Sequence, residues 1–589
     1  MLQDFRRRPL ADDPPVNASL PAAALGNTLR SYIPDATGAW LYQQFAMFGD
    51  PAAVAAAYGI PGNGAGLGMA SGGLPPEGAL YGYSYSFLLG ELLALQTAGF
   101  NNPAYSGPQI QLIGAPVWDR FVTGYLTQTT PAAKVFPAES YLGPVYQFGG
   151  YGEFHRLYVT PGDLRPFALL ALLEQQNGQN THVNAIRWFA RNALQGGPAT
   201  FYTRMTDPYS FSETVLYFLL FDPTAAAPTD PRPTCPTVFV DSPAGRMIAH
   251  GDWSPNGAMF DYKAGWNTID HQNADAGQFE FYRNGEWLTK EMSGYDGAME
   301  TLRSSMFHNT LSLEHTCPAG TPTLRSWEGH SWSTNSQILN SLSAGDPTTA
   351  TSSGAGYAYA ATDMTGAYNR PNVWSAAVSS TNTSLATRSI VWLNNDYIVV
   401  YDRATSVSSG TFKRFTLSLI ANPSITGNTA TETLASGQRL FVQTLLPANA
   451  TLTADSPTAQ FPYLAELEPT QYILTVEDTT KPSDVRFLHV LQGANAGAPM
   501  AQATRVQSAG GASFDGAIFA NAAVYFPVYA NTVFVSTTLP LPAGVTTMLV
   551  AGLAPNTSYS ASVQSGNAVT ITAGTGTTTD AAGVLRLTF

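Results

Sequence analysis

Charge is what this 589-residue chain has least of. Asp, Glu, Lys and Arg together make up 12% of it, about half the share of an ordinary soluble protein. Lys and Arg total 28 against 41 Asp and Glu, a formal net charge of −13. Proteins that hold DNA or RNA present a broad basic face, so this balance speaks against a nucleic-acid partner. It leaves room for an anionic ligand gripped by a few local arginines. Cysteine is scarcer still. Cys235 and Cys317 are the only two, too few for a disulfide scaffold and without the spacing of a structural zinc site. They are either one disulfide or two small buried hydrophobes. No apolar run approaches the roughly 18–20 residues of a membrane-spanning helix. The first 15 residues carry Arg6-Arg7-Arg8 with no apolar stretch behind them, so they are not a signal peptide. Such a chain is either cytosolic or has had its leader removed. The abundance of Gly, Pro and Tyr (53, 41 and 28 residues) favours the second, and the expected location is secreted or periplasmic.

What the chain does have is enough apolar residue, 44%, to build real cores, over a length that suits two or three domains. Residues 1–221 read as helical. Leu88, Leu92 and Leu95 fall at i, i+4 and i+7, with Gly99 where a helix stops. Asp163 and Pro166 mark a second helix start, 184–194 is a third segment and 212–221 a fourth. Long loops rich in Gly, Tyr and Pro lie between them, at 61–82 and 143–162; loops of such length are usually functional. Residues 222–236, DPTAAAPTDPRPTCP, read as a linker. Beyond it the period changes to two. Strands are expected at 237–240, 389–393, 397–401, 415–419, 439–445, 472–476 and 486–491, the pattern of an antiparallel sandwich over 237–531. The tail, 532–589, is either a small β domain or the last strands of the sandwich.

The densest chemistry lies in 267–311. His271, Asn273, Asp275, Glu291, Tyr295, Arg303 and His308 crowd into one short β-rich stretch. Gln278-Phe279-Glu280-Phe281-Tyr282 alternates as a half-buried strand, Asn284-Gly285 is a hairpin turn, and Glu286-Trp287-Leu288-Thr289 returns. Polar residues on both sides of the hairpin therefore converge on one sheet edge. Asp275 is expected to hold its own loop by an Asx-type bond. His182, His250, His315, His330 and His489 read as scaffold.

This run, His271-x-Asn273-x-Asp275-x-Gly277-x-Phe279, then Gly294-Tyr295 and His308-Asn309, resembles the heparinase II/III-like polysaccharide lyases. Their pattern is H-x-H-x-D-x-G-x-F, a hairpin, an acidic-x-x-G-Y turn and a later His-Asn. The resemblance covers 237–410 well and the N-terminal half more loosely, through Pro76-Glu77-Gly78-Ala79-Leu80-Tyr81-Gly82-Tyr83. It implies an α+β multidomain chain: an N-terminal (α/α) toroid-like helical domain, short here for a full toroid, then a large antiparallel β-sandwich and a small β tail. It also implies a carbon–oxygen lyase that cleaves an anionic, uronate-containing polysaccharide or oligosaccharide by β-elimination. His271 matches the catalytic histidine, and the catalytic tyrosine falls at Tyr146 or Tyr151, with Tyr295 the motif's own tyrosine. Glu77, Tyr81, Tyr83, His155, Arg156 and Arg303 are the matching candidates for substrate contacts. A divalent metal, zinc or calcium, would take Asn273, Glu291 and His308 in a structural role, the elimination itself needing none. Asn273 departs from the family's second histidine, and an amide oxygen is a harder, poorer zinc ligand than imidazole. Two other functions fit the composition. A glycoside hydrolase would need two carboxylates across a cleft, for which Glu77 and Glu153 are the pair; a non-catalytic glycan-binding protein would need neither.

Overall fold

The computed structural model describes residues 72–75, 85–97, 116–135, 143–150, 164–193, 224–264, 273–292, 304–314, 348–369, 382–457, 469–509, 513–530, 536–564 and 567–589, with a few isolated residues between them. The chain divides into two compact units, one of residues 1–75, 81–126 and 160–231, the other of 76–80, 127–159 and 232–589.

The first unit carries the helices. Tyr85–Thr97 ends ahead of Gly99, whose φ of +83° only glycine adopts freely. Val117–Gln128, Leu164–Gln176 and Val183–Trp188 follow, the last running into a π-helical turn at Phe189–Ala193. Pro166 sits in the first turn of its helix, where its missing N–H costs nothing. Phe121, Tyr125, Phe167 and Phe189 pack ring on ring, with centroids 4.6–5.2 Å apart along the chain of contacts Phe121–Tyr125–Phe167–Phe189. Of the helix expected at 212–221, Val215 and Leu216 are described, and both are helical.

The second unit is a stack of sheets. Two short strands, β1 (Lys134–Val135) and β2 (Pro144–Val145), pair with each other. A five-stranded sheet follows in simple order: β3 (Val238–Asp241), β4 (Arg246–His250), β5 (Met259–Lys263), β6 (Gln278–Arg283) and β7 (Glu286–Thr289). The β6–β7 hairpin turns at Asn284-Gly285, both with positive φ (47° and 83°), as a two-residue turn of this hand demands. A four-stranded sheet has β8 (Leu311–Leu313) at one edge, paired with Lys413–Leu419. The central sheet has eight strands. Its middle members, in spatial order, are Arg439–Leu446, Asp484–Ala494, Tyr397–Ser406 and Thr383–Leu393.

Both faces of the central sheet are covered, which explains why its strands read as unbroken apolar runs instead of alternating. On one face Ile390, Trp392, Ile398 and Val400 join the core with Phe260, Phe279, Phe281 and Leu417 of the smaller sheets. On the other, Val391, Leu393, Val399 and Tyr401 pack against Phe519, Val524, Phe526 and Leu549. The tail enters here. Thr547–Val550 pairs in parallel with Ala522–Pro527, and Leu585–Thr588 closes that sheet. The remaining tail strands form a fourth layer over Phe514, Tyr525 and Met548.

Among the buried acids of this stack, Glu432 has the simplest surroundings. One oxygen accepts the N–H groups of Ile420 and Ala421 at 2.9 and 3.0 Å; the other meets no hydrogen-bond partner among the described residues. Burial pushes its carboxyl from the ordinary 4.5 up to about 8. The folded chain then keeps a proton that the unfolded chain releases, so stability falls as pH rises from about 4.5 to about 8 and levels off beyond. Glu432→Gln, which removes the titration, is expected to gain thermal stability relative to wild type at pH 9 and not at pH 4. Calorimetric melts at the two pH values check this; an equal offset at both contradicts it.

Candidate functional site

The five-stranded sheet has two unlike faces. Cross-strand register groups Met247 with Tyr262 and Phe279, and Ala249 with Phe260 and Phe281, on the face that enters the core. The opposite face carries Arg246, Lys263 and Gln278 in one row, Ile248, Asp261 and Glu280 in the next, and His250, Met259 and Tyr282 in the third. A polar face of this kind ordinarily lies in water. Here it is buried: Arg246, Asp261, Lys263, Gln278 and Glu280 are each 3% exposed or less.

Burying charge costs several kcal/mol per ion unless each finds a partner, and the partners are present. Arg246 Nη2 donates to Asp261 Oδ2. Lys263 Nζ donates to Asp275 Oδ1 at 2.6 Å, and Lys290 Nζ to Glu280 Oε1 at 2.5 Å. His308 Nδ1 lies 3.0 Å from Glu291 Oε1, and the Asn273 amide donates to the same oxygen at 3.2 Å. Burial lifts Asp275 to about 6 and Glu280 to about 7, each held partly down by its lysine. For Glu291 burial also works upward, but His308 and the two lysines outweigh it and the net shift is down. Burial pulls His308 downward, yet Glu291 and Asp275 overcome it and its pKa is raised. Each of the pair thus favours the charged form of the other. Among the described residues, Glu291 Oε2 and His308 Nε2 meet no hydrogen-bond partner.

Asn309 fastens this corner. It donates from Nδ2 to Phe279 O and Thr289 Oγ1, accepts the Ser418 N–H on Oδ1, and sends its own N–H to Gln278 Oε1, all at 2.6 Å. Arg388 of the central sheet grips Asp402 at 2.8 and 2.7 Å and reaches Gly277 O and Asn309 O at 2.6 and 2.5 Å. The motif loop is therefore bolted to the central sheet on both sides.

The segment 143–150 lies against the polar face. Gln147 Oε1 accepts the Trp287 indole N–H at 2.5 Å, and the Gly150 N–H donates to Glu280 Oε2 at 2.9 Å. A β-carbon on Gly149 would overlap Asp261 Oδ2, so only glycine fits there. Arg232 donates to Thr130 O and Pro131 O, both at 3.2 Å, and to the Tyr146 hydroxyl at 3.3 Å, with its guanidinium 4.6 Å from the Tyr146 ring centre. His250 bonds Thr127 O at 2.7 Å, and burial brings it down to about 4. Its scaffold role matches the expectation, as does that of His489, which touches Thr444 Oγ1 at 3.1 Å in the core. His182 bridges Glu174 and Asp119 at 2.5 and 2.8 Å.

Of the residues expected to form the site, the structure describes Tyr146, Asn273, Glu291 and His308. It brings the last three together. His271, Tyr151, Tyr295, Glu77, Tyr81, Tyr83, His155, Arg156 and Arg303 lie outside the described residues, as do Glu153, His315, Cys317 and His330. Asp275 departs from expectation: its carboxylate holds Lys263 across the sheet, not its own loop. Sequence reasoning missed Lys263, Glu280 and Lys290. Period-two alternation does put Asp261 with Lys263 and Gln278 with Glu280 on one face, but a polar face normally signals solvent. Among the described residues no group of three His, Cys, Asp or Glu is placed to hold a metal; the nearest arrangement is the mixed set of Asn273, Glu291 and His308.

No family profile and no curated protein matches this sequence. Solved structures do. A mutant of the heparan sulfate lyase HepC from Pedobacter heparinus aligns with a TM-score of 0.50 and 14% identity over 78% of this chain and 60% of its own. A heparinase III, the BT4657 gene product, aligns at 0.46 and 13% over 85% and 65%. This chain thus spans under two thirds of the length of either. The likeness is one of fold: a mostly β chain with few helices, built on a β-sandwich of the heparinase-like polysaccharide lyase type.

Asn309→Ala would remove the side-chain partner of the Phe279 carbonyl, the Ser418 amide and the Thr289 hydroxyl at once. Each such loss costs about 1–3 kcal/mol. The variant is expected to lose about 3 kcal/mol or more in urea unfolding; a loss under about 1 kcal/mol contradicts the bolting role.

Proposed function

We propose that this chain is a polysaccharide lyase that cleaves a uronic-acid-containing polysaccharide by β-elimination and leaves unsaturated uronate ends. One observation carries the reading. A chain with a heparinase-like lyase fold holds Asn273 and His308 of the lyase-like motif within 3.2 Å of one oxygen of Glu291. In this reading residues 1–221 are the toroid-like helical part, 222–236 the linker, 237–531 the sandwich and 532–589 the tail, and the protein works outside the cytoplasm.

β-Elimination removes the C5 proton of a uronate, forms the C4–C5 double bond and breaks the C4–O bond, whose oxygen leaves with a proton. The C5 proton is barely acidic until the sugar carboxylate is neutralised, each pKa unit of mismatch being worth about 1.4 kcal/mol. Neutralisation is assigned to the polar and basic candidates Glu77, His155, Arg156 and Arg303, the first as a protonated or hydrogen-bonding group. His271 and a tyrosine, Tyr146 or Tyr151, take and return the protons; Tyr295 is the further tyrosine of the motif. Tyr81 and Tyr83 offer rings for sugar stacking. With only 28 Lys and Arg in the chain, a heavily sulfated polymer fits less well than a plain uronan.

A divalent cation fits the motif corner. Glu291 Oε1 and His308 Nδ1 lie 3.0 Å apart, close to the roughly 3.3 Å edge of a tetrahedron with bonds of about 2.0 Å, and Glu291 Oε2 and His308 Nε2 are buried without a partner among the described residues. Glu291 and His308 would hold the ion, with the Asn273 amide oxygen as the harder third ligand. When bound it supplies a structural cross-link between the hairpin and the His308 turn, and the proton chemistry stays with the side chains.

A screen of uronans for the ultraviolet absorbance of the conjugated product tests the reaction. Wild type is expected to generate it. His271→Ala and one of Tyr146→Phe and Tyr151→Phe should lose about 100- to 10,000-fold in rate, the usual contribution of a positioned acid or base. Activity that survives all three substitutions contradicts the reading. Metal content of purified chain tests the cation: about one divalent ion per chain in wild type and far less in His308→Ala is expected, and equal content in both contradicts that site.

A further inference from the structure

The geometry points to Glu280 as a positioning residue that fixes the tyrosine-bearing segment to the motif corner; this rests on the elimination reading above. Glu280 is 1% exposed, and its two oxygens face different parts of the fold. Oε2 accepts the Gly150 N–H at 2.9 Å, next to Tyr151 in sequence. Oε1 accepts Lys290 Nζ at 2.5 Å and the Glu291 N–H at 3.0 Å. One carboxylate therefore ties the backbone just before a candidate proton-transfer tyrosine to the backbone of a candidate cation ligand. Those two backbones are 141 positions apart in the sequence (150 to 291), with no covalent reason to keep a fixed spacing.

The rest of the contact is shaped to make this bond. Asp261, beside Glu280 in register, leaves no room for a β-carbon on Gly149, so the chain approaches the sheet more closely than any other residue would allow. Gln147 anchors the segment three residues before Gly150 through Trp287 Nε1. In the sequence, Tyr146 and Tyr151 immediately bracket residues 147–150. A phenol that takes or gives a proton must be held within a few tenths of an ångström of its target, and a misplacement of about 1 Å costs on the order of 100-fold. The backbone attachment supplies that constraint without touching the substrate. Arg246 and Lys290, the cations bonded to Asp261 and Glu280, hold the two carboxylates in place beneath the loop.

Two substitutions approach the clamp from opposite sides. Glu280→Gln keeps the side-chain shape and removes the charge; Gly149→Ala unseats the loop while leaving Glu280, Lys290 and Glu291 intact. Amide hydrogen exchange of the full chain is read by mass spectrometry on peptides spanning 146–152, with a peptide from 397–406 as the internal control for global folding. Both variants are expected to speed exchange in 146–152 at least tenfold with the control unchanged. On the uronan that wild type cleaves, both should lower kcat about 10- to 100-fold with KM within twofold. Exchange that stays unchanged in both variants overturns the clamp, and does so whether or not any uronan is turned over. Faster exchange with unaltered kcat, or a loss confined to KM, overturns the positioning role. Failure of the elimination reading appears separately, as wild-type chain that forms no unsaturated product while the exchange difference persists.

Discussion

A sheet face made of acids and bases, shut away from water, is the constraint on which this structure turns. Arg246, Asp261, Lys263, Glu280, Lys290 and Glu291 would each be ruinous alone, since an unpaired buried ion costs several kcal/mol. They are tolerable only as a set in which every charge has its counter-charge at hydrogen-bonding distance. Such a set is intolerant of small displacement, because the same low dielectric that strengthens each pair penalises any group that loses its partner. Precision at this corner follows from that cost. The motif loop, the hairpin and the 143–150 segment meet here because their polar groups have nowhere else to be satisfied.

The layers behind the corner serve it. The central eight-stranded sheet, apolar on both faces, is a rigid slab with no solvent side. Arg388 carries its rigidity forward, using one guanidinium to hold Asp402 within the slab and Gly277 and Asn309 in the loop. The side chains of this corner thus stand on backbone whose own freedom has been removed by a second set of bonds.

Much of this was legible in the residues. The Asn284-Gly285 turn, the β6 and β7 strands around it, the helix ending ahead of Gly99 and the unbroken apolar strands at 389–401 follow from local chemistry that tertiary structure did not override. The grouping of Asn273, Glu291 and His308 was an expectation of the family likeness alone. The polar face was not. Alternation was read only in Gln278–Tyr282, as a half-buried strand, and nothing local announces that residues 143–150, over a hundred positions upstream, will lie against its polar side. Asp275 was misread for the same reason: its partner, Lys263, is a neighbour across the sheet and not along the chain. Long-range pairing of buried charge leaves no signature in a window of ten residues.

Mass spectrometry of the oligosaccharides released from a uronan bears most directly on the reaction. Elimination predicts a new non-reducing end lighter by one water than the fragment that hydrolysis would leave, with no hydrated counterpart early in the time course. Fragments carrying the full mass of water across the broken bond would contradict the account and turn attention to a hydrolytic pair of carboxylates.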